Sequence, residues 1–184
     1  MELIRAASAE FERAVSELPA DAWERQTPAQ ISVREMVTHV VGGNRLSVDL
    51  LNGVDRRQAL ARLADDQLGD DPVAAAAESA EQQASAFIGT SPDRPVDGPG
   101  GEVPASTLLL FRLIDLVVHA WDVRRGAGLD ESLDPTAVEG LWDLVEPRLP
   151  ELLPYGAYGD GPSGTVTDDA PTQLKLLDAL GRRP

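Results

Sequence analysis

The chain has 184 residues, of which 42% are hydrophobic, and this is enough for one domain with a sizeable core. Its 16 basic and 31 acidic residues give a formal net charge of −15. This charge excludes non-specific binding to nucleic acid and argues against binding to an anionic membrane surface. The lack of cysteine excludes disulfides, a thiolate nucleophile and Cys-ligated metal sites.

A helical period of apolar residues dominates the first part of the chain. One apolar stripe covers the first eighteen residues and stops at Pro19. A loop that contains Trp23 follows. A second helix is predicted to begin at Ser32, because Ser32 and Glu35 have the spacing of a capping box, and to continue to Leu51.

Helix-capping residues and loop-forming residues also mark the ends of elements in the middle of the chain. Asp55 is placed to cap a short helical arm that runs to about Leu68, and the pair Asp71-Pro72 is placed to begin a third helix. Residues 89–103 are rich in Gly, Pro, Asp and Ser, which predicts a loop with a short hairpin at residues 98–101.

The fourth predicted helix begins at Pro104 and ends at the glycines 126 and 128. It is apolar nearly all round, so we expect it to be the most buried helix. A fifth helix is predicted to begin at Asp134-Pro135 and to break at Pro147. Residues 154–170 form a Gly/Pro/Asp-rich tail, and residues 171–180 have the pattern of a last short helix.

Four long helices with inward apolar stripes predict an all-α protein built on a four-helix bundle. We expect the bundle to span residues 1–128. Residues 129–184 then form a short C-terminal helical extension that packs on the bundle, within one structural domain.

Both histidines of the chain, His39 and His119, lie in apolar stretches of predicted helices, where an imidazole needs polar partners. Asp115 lies four residues before His119 and therefore on the same helix face. Two histidines and one carboxylate form a three-ligand site for a divalent metal, with coordination positions left for water or substrate. The sequence thus predicts a metal site at His39, Asp115 and His119, inside the bundle.

Other interpretations of these residues stay open. Asp115 and His119 also fit a purely structural hydrogen-bond cluster. Glu35 precedes His39 by four residues and competes as the acidic ligand, although the capping box already explains it. Asp122 is placed to orient the His119 imidazole, with an ion pair to Arg125 or a position near the helix C-terminus as the alternatives. Asn44 and Trp23 are further residues of the pocket or its surroundings, with polar surface and core packing as the alternatives.

The segments around the histidines resemble a known family. Trp23, the stretch VREMVTHVVGGN at residues 33–44 and the stretch DLVVHAWD at residues 115–122 are similar to the signatures of the actinobacterial mycothiol-dependent maleylpyruvate isomerase-like family, within the DinB-like metalloproteins. The resemblance implies a DinB-like bundle in which His39, Asp115 and His119 hold a divalent metal. It implies zinc first, with nickel, iron or manganese as alternatives, and mycothiol as the cosubstrate. Asp115 stands where a glutamate is more usual.

The expected function is therefore that of a metal-dependent thiol S-transferase or isomerase, with a small-molecule thiol and a small electrophile as partners. The alternative is a metal-binding or sensor protein without turnover. We expect no nucleic-acid or membrane partner, a monomer or homodimer, and a cytoplasmic location, since the sequence has neither a signal-peptide pattern nor 18 consecutive apolar residues.

Overall fold

The structure is a computed structural model, and it describes residues 2–152 and 161–184. The first four α-helices in chain order are α1 (Glu2–Ser16), α2 (Val33–Leu51), α3 (Arg56–Ala61) and α4 (Pro72–Ile88). They are followed by strands β1 (Pro95–Gly98) and β2 (Gly101–Pro104), and then by α5 (Ala105–Ala127), α6 (Pro135–Val145), α7 (Leu149–Leu152) and α8 (Thr172–Ala179). Short 3-10 turns follow α3 and α6.

The predicted helix signals act where they were expected. The Ser32 side chain accepts from the Glu35 backbone N–H while the Glu35 side chain accepts from the Ser32 N–H, so the capping box of α2 is confirmed. Asp55, Asp71 and Asp134 accept from backbone N–H groups three residues on and cap α3, α4 and α6. The longest helix, α5, ends at Gly128 in the left-handed conformation, with φ 72°.

Helices α1, α2, α4 and α5 form the bundle. Both α1 and α2 pack against α4 and against α5, so α2 and α4 are neighbours, whereas the connections from α1 to α2 and from α4 to α5 cross the bundle. The crossing segment between α4 and α5 contains the predicted hairpin, with β1 antiparallel to β2 and Gly98 opposite Gly101. The largest side chains in the core have no more than 1% of their surface exposed: Phe11, Met36, Leu113, Ile114, Leu116, Trp121, Leu141, Leu176, Leu177 and Leu180.

The C-terminal helices lie on one side of this bundle. Helix α6 packs against α1 and α5, and α8 packs against α6. As a result the residues after α8 return toward the C-terminal half of α5, which positions them beside the candidate site. Residues 154–160 of the predicted tail lie outside the described residues, and residues 161–170 have no regular helix or strand.

The all-α prediction is confirmed, with small differences at the ends of elements. The short arm leaves α-helical geometry after Ala61, because the 3-10 turn and the loop to Gly69 complete it, so it does not continue as a helix to Leu68. Pro104 precedes α5 as its cap residue and is not its first helical residue. Among the described residues, no helix is both long and apolar enough to cross a membrane.

Candidate metal centre

Helices α2 and α5 bring His39, Asp115 and His119 together. His39 Nε2 lies 3.7 Å from Asp115 Oδ2, and His119 Nε2 lies 3.7 Å from Asp115 Oδ1. The two imidazole rings have their centroids 5.2 Å apart and their planes at 83°. One ligand atom from each of the three residues falls within 4.8 Å of the others. The carboxylate therefore sits between two imidazole nitrogens that point toward it.

These separations fit metal ligation better than a hydrogen-bond cluster. A gap of 3.7 Å between nitrogen and oxygen is too long for a hydrogen bond. Two ligands on a tetrahedral zinc ion, each about 2.1 Å from the metal, lie about 3.4 Å apart. Small side-chain movements suffice to bring the present atoms to that separation. The donor set of two imidazoles and one carboxylate is also one that zinc, nickel, iron and manganese accept.

The three residues differ in exposure. The side chain of His39 is 55% exposed, whereas those of Asp115 and His119 are 26% and 14% exposed. The expectation that both histidines are buried inside the bundle is therefore wrong for His39. The physical reason is that the His39 ring lines a cavity that opens to solvent, so part of the ring stays accessible.

The protonation of His39 suits ligation. Desolvation of the ring lowers the pKa of His39, and the neighbouring His119 and Arg112 act in the same direction, while the carboxylate of Asp115 opposes them. The net effect is a pKa below its ordinary value. The imidazole therefore remains neutral at neutral pH, and a neutral imidazole is the form that binds a metal.

Asp122 forms a hydrogen bond with the second ring nitrogen of His119. His119 Nδ1 lies 2.9 Å from Asp122 Oδ2. Because an ionised carboxylate can only accept a hydrogen bond, Nδ1 carries the proton, and the lone pair of Nε2 is free to coordinate a metal. Burial acts to raise the pKa of Asp122, but the hydrogen bond with His119 and the ion pair with Arg182 outweigh it, and the pKa is lowered. Asp122 is thus a buried anion with no exposed surface.

Arg182 provides the countercharge to Asp122. Its Nε donates to Asp122 Oδ1 at 2.9 Å and its second terminal nitrogen donates to Oδ2 at 2.6 Å, so the pairing is two-pronged. The partner that sequence reasoning considered for Asp122, Arg125, instead pairs with Glu131. The sequence analysis missed Arg182, because no local spacing rule connects it to Asp122.

Arg112 forms an ion pair with Asp115, the carboxylate of the candidate site. It lies one turn before Asp115 on α5, is only 5% exposed, and donates from a terminal nitrogen to Asp115 Oδ2 at 2.5 Å. Sequence reasoning missed Arg112 as well. The available signal was an arginine in the most apolar helix, three residues before the carboxylate, where a buried cation needs a partner.

The remaining predicted residues lie away from the ligand atoms. Asn44 is fully buried, and its side-chain oxygen accepts from Arg112 at 2.8 Å, so it is neither surface nor cavity wall. Glu35 is engaged in the capping box, with both the N–H and the hydroxyl of Ser32 donating to it at 2.7 Å. Trp23 is partly buried against the core, with the guanidinium of Arg34 stacked 5.2 Å from its ring centroid.

A cavity of about 710 Å³ opens at the three residues. Its size is within the usual range for small-molecule sites. Its walls are largely apolar, and the loop before α2, the residues of α2 and α5 around the site, and the segment after α8 all contribute: Pro28, Ala29, Gln30, Ile31, Met36, His39, Phe111, Ile114, Asp115, Val118, His119, Gly181 and Arg182.

Comparison with known proteins gives one match. The family model for the mycothiol maleylpyruvate isomerase N-terminal domain matches residues 4–124, which include most of α1, all of α2 to α4, most of α5, and His39, Asp115 and His119. Neither the curated proteins nor the solved structures include a match. Because the matched region covers well over half of the chain, the chain belongs to the family of the mycothiol maleylpyruvate isomerase N-terminal domain.

Proposed function

We propose that the protein binds one divalent metal ion through His39, Asp115 and His119 and uses it in a thiol-dependent transfer or isomerisation of a small electrophile. The observation that carries this proposal is the convergence of the three ligand atoms within 4.8 Å, at separations too long for hydrogen bonds. Their position in the wall of a cavity supports a reactive role, since a structural metal site is closed off by four protein ligands.

Zinc is the ion we propose first, with nickel, iron and manganese as alternatives. Three protein ligands leave at least one coordination position for a reactant. When bound there, the ion would lower the pKa of a thiol and favour the thiolate, which is the nucleophilic form. From the family description we propose mycothiol as that thiol.

The protein's own side chains prepare the site for this chemistry. Asp122 fixes the His119 tautomer that has Nε2 free, and Arg112 fixes the orientation of Asp115. The apolar side chains of Ile114 and Val118 line the cavity beside them and limit water around the reacting groups. The half-exposed His39 leaves the rim open, so both a thiol and an electrophile can reach the same wall.

The test uses the zinc-loaded protein, mycothiol and a generic electrophile such as monochlorobimane or chlorodinitrobenzene. We expect a rate that depends on both the thiol and the metal. His119→Ala should abolish the bound metal and the rate. Glu35→Ala is the matched control, because it removes a neighbouring carboxylate that the capping box already engages, and it should keep both.

Two results would contradict the proposal at different levels. Stoichiometric metal without any thiol-dependent rate would indicate a metal-binding or sensor protein without turnover. Failure of the wild-type protein to bind zinc, nickel, iron or manganese would refute the metal site itself. We place this chemistry in the cytoplasm, where low-molecular-weight thiols are kept reduced.

A further inference from the structure

Arg112 is an unusual residue for the centre of a helical bundle. It is almost fully buried, and all of its nitrogen atoms have acceptors. Nε donates to Gln83 Oε1 at 2.9 Å, one terminal nitrogen donates to Asp115, and the other donates to Asn44 Oδ1 at 2.8 Å and to the Val40 carbonyl at 3.2 Å. Three helices, α2, α4 and α5, therefore fix the guanidinium in one place.

The neighbouring helix leaves space for this group only because residue 43 is glycine. A Cβ atom at Gly43 would lie 2.3 Å from one terminal nitrogen of Arg112 and 2.7 Å from its central carbon. Both distances are far shorter than any real contact, so a side chain there would force the guanidinium away. The adjacent Gly42 faces another way, toward Leu63 at 3.2 Å. The glycine pair thus has one member that makes room for Arg112 and one that does not.

We propose that Arg112 is a positioning residue that makes Asp115 a single-oxygen metal ligand. This inference rests on the metal site of the proposed function. The guanidinium engages Oδ2 of Asp115, which also lies 3.7 Å from His39 Nε2, so the opposite oxygen, Oδ1, 3.7 Å from His119 Nε2, is the one we infer as the ligand. A carboxylate that uses one oxygen leaves one more coordination position for a reactant than a carboxylate that uses both.

The charge of Arg112 has a second effect on the same site. A buried cation at hydrogen-bond distance withdraws negative charge from the Asp115 carboxylate, which makes the carboxylate a weaker donor. The ion then keeps more of its own positive charge for polarising a reactant. Neutral imidazoles at the other two positions add no charge, so Asp115 supplies the negative charge of the ligand set and Arg112 partly offsets it.

The first experiment compares Gly43→Ala with Gly42→Ala in the full-length protein loaded with Co²⁺. Alanine has a higher helix propensity than glycine, so neither substitution weakens α2 for that reason. We expect Gly43→Ala to displace the guanidinium and free Oδ2, which weakens the visible Co²⁺ absorption because the coordination number rises. We also expect a lower dissociation constant for the metal, because the freed oxygen becomes an additional ligand and the carboxylate recovers its donor strength. Gly42→Ala should match the wild type in both measurements.

The second experiment compares Arg112→Met with Arg124→Met. Arg124 is an equally buried arginine on the same helix, but it pairs with Glu17 at 2.7 Å and with Glu10, away from the metal ligands. Arg112→Met should reproduce the spectral change of Gly43→Ala. Arg124→Met should lower stability without altering the Co²⁺ spectrum. If Arg112→Met does not fold, the comparison of Gly43→Ala with Gly42→Ala tests the role of Arg112 by itself.

The outcomes separate the two proposals. A weaker visible Co²⁺ absorption together with tighter binding in Gly43→Ala, but not in Gly42→Ala, supports the role of Arg112. A folded Gly43→Ala protein with the wild-type spectrum and affinity overturns that role while leaving the metal site intact. A wild-type protein that binds no Co²⁺ or Zn²⁺ overturns the metal site, and the role of Arg112 falls with it.

Discussion

His119 and Asp122 form a hydrogen bond of 2.9 Å within one turn of α5, and Arg182, sixty residues further along the chain, covers both carboxylate oxygens from the opposite side. The imidazole, the carboxylate and the guanidinium thus form a continuous chain from the cavity wall to the C-terminal segment. Because each group fixes the position of the next, the geometry of His119 depends, through Asp122, on the distant residue Arg182.

Replacing Asp122 by asparagine should weaken metal binding by about 10- to 100-fold, because an amide does not hold the His119 tautomer as a carboxylate does. Competition with a chromophoric zinc chelator would measure the affinity. Asp143→Asn, at an exposed position on α6, serves as the control and should bind zinc like the wild type. Equal affinities for both variants would show that Asp122 has no influence on the site.

The same carboxylate should make stability depend on pH in the metal-free protein. The pKa of Asp122 is lowered in the folded state, so its contribution to the free energy of unfolding is complete above the pKa of an unfolded Asp, about 3.9, and is lost as the pH falls through the lower folded value. Urea unfolding measures the difference in the free energy of unfolding between wild type and Asp122→Asn. This difference should have its full value at about pH 5 and should shrink toward about pH 3. A difference that grows in acid would contradict the lowered pKa.

Arg182→Ala should destabilise the protein by about 3–5 kcal/mol, since it leaves the buried Asp122 without its countercharge. The neighbouring Arg183 offers a matched control because its side chain is 49% exposed and its ion pair with Asp178 is at 3.3 Å. Arg183→Ala should change stability by no more than about 1 kcal/mol. Chemical denaturation of the two variants measures both effects, and comparable losses would argue against a special role for Arg182.

Removal of the metal should lower the melting temperature without unfolding the bundle. The core of Phe11, Met36, Trp121 and their neighbours does not include the ligands, so the helices keep their packing. A hundredfold excess of ligand over its dissociation constant stabilises a folded protein by about 2.7 kcal/mol. Thermal unfolding followed by circular dichroism, with and without a chelator, checks this. Loss of helical signal at room temperature on chelation would contradict it.

Asp115→Ala should release the metal, whereas Glu35→Ala should retain it and lower stability by about 0.5–2 kcal/mol through loss of the cap. Elemental analysis of the purified variants and their urea unfolding measure the two effects. Asp115→Glu, which restores the longer side chain usual in the family, is expected to keep the metal. The reverse pattern, with metal lost only in Glu35→Ala, would move the acidic ligand to α2.

Local rules of sequence were enough to predict most of the fold. The caps at Ser32, Asp71 and Asp134 depend only on a side chain and the backbone three residues on, and they act as predicted. The same is true of Asp115 and His119, since a spacing of four residues fixes their shared face. The boundary of the C-terminal extension stays a prediction.

Features that depend on tertiary packing could not be predicted from patterns in the sequence. Arg182 meets Asp122 only because α8 folds back on α6, and no spacing rule connects residues sixty positions apart. The exposure of His39 depends on where the cavity opens between two helices, so apolar neighbours in sequence predicted burial wrongly. The room that Gly43 leaves for Arg112 likewise depends on the register of α2 against α5.

The half-exposed ring of His39 has a consequence for how the site is loaded. Because this ligand stands at the rim while the other two are held from behind by Asp122 and Arg112, an ion can arrive from solvent after the bundle has folded. Filling and emptying of the site then need a rotation of one side chain and no separation of helices. For the proposed metal site, exchange with metals in the surrounding solution should accordingly be much faster than global unfolding.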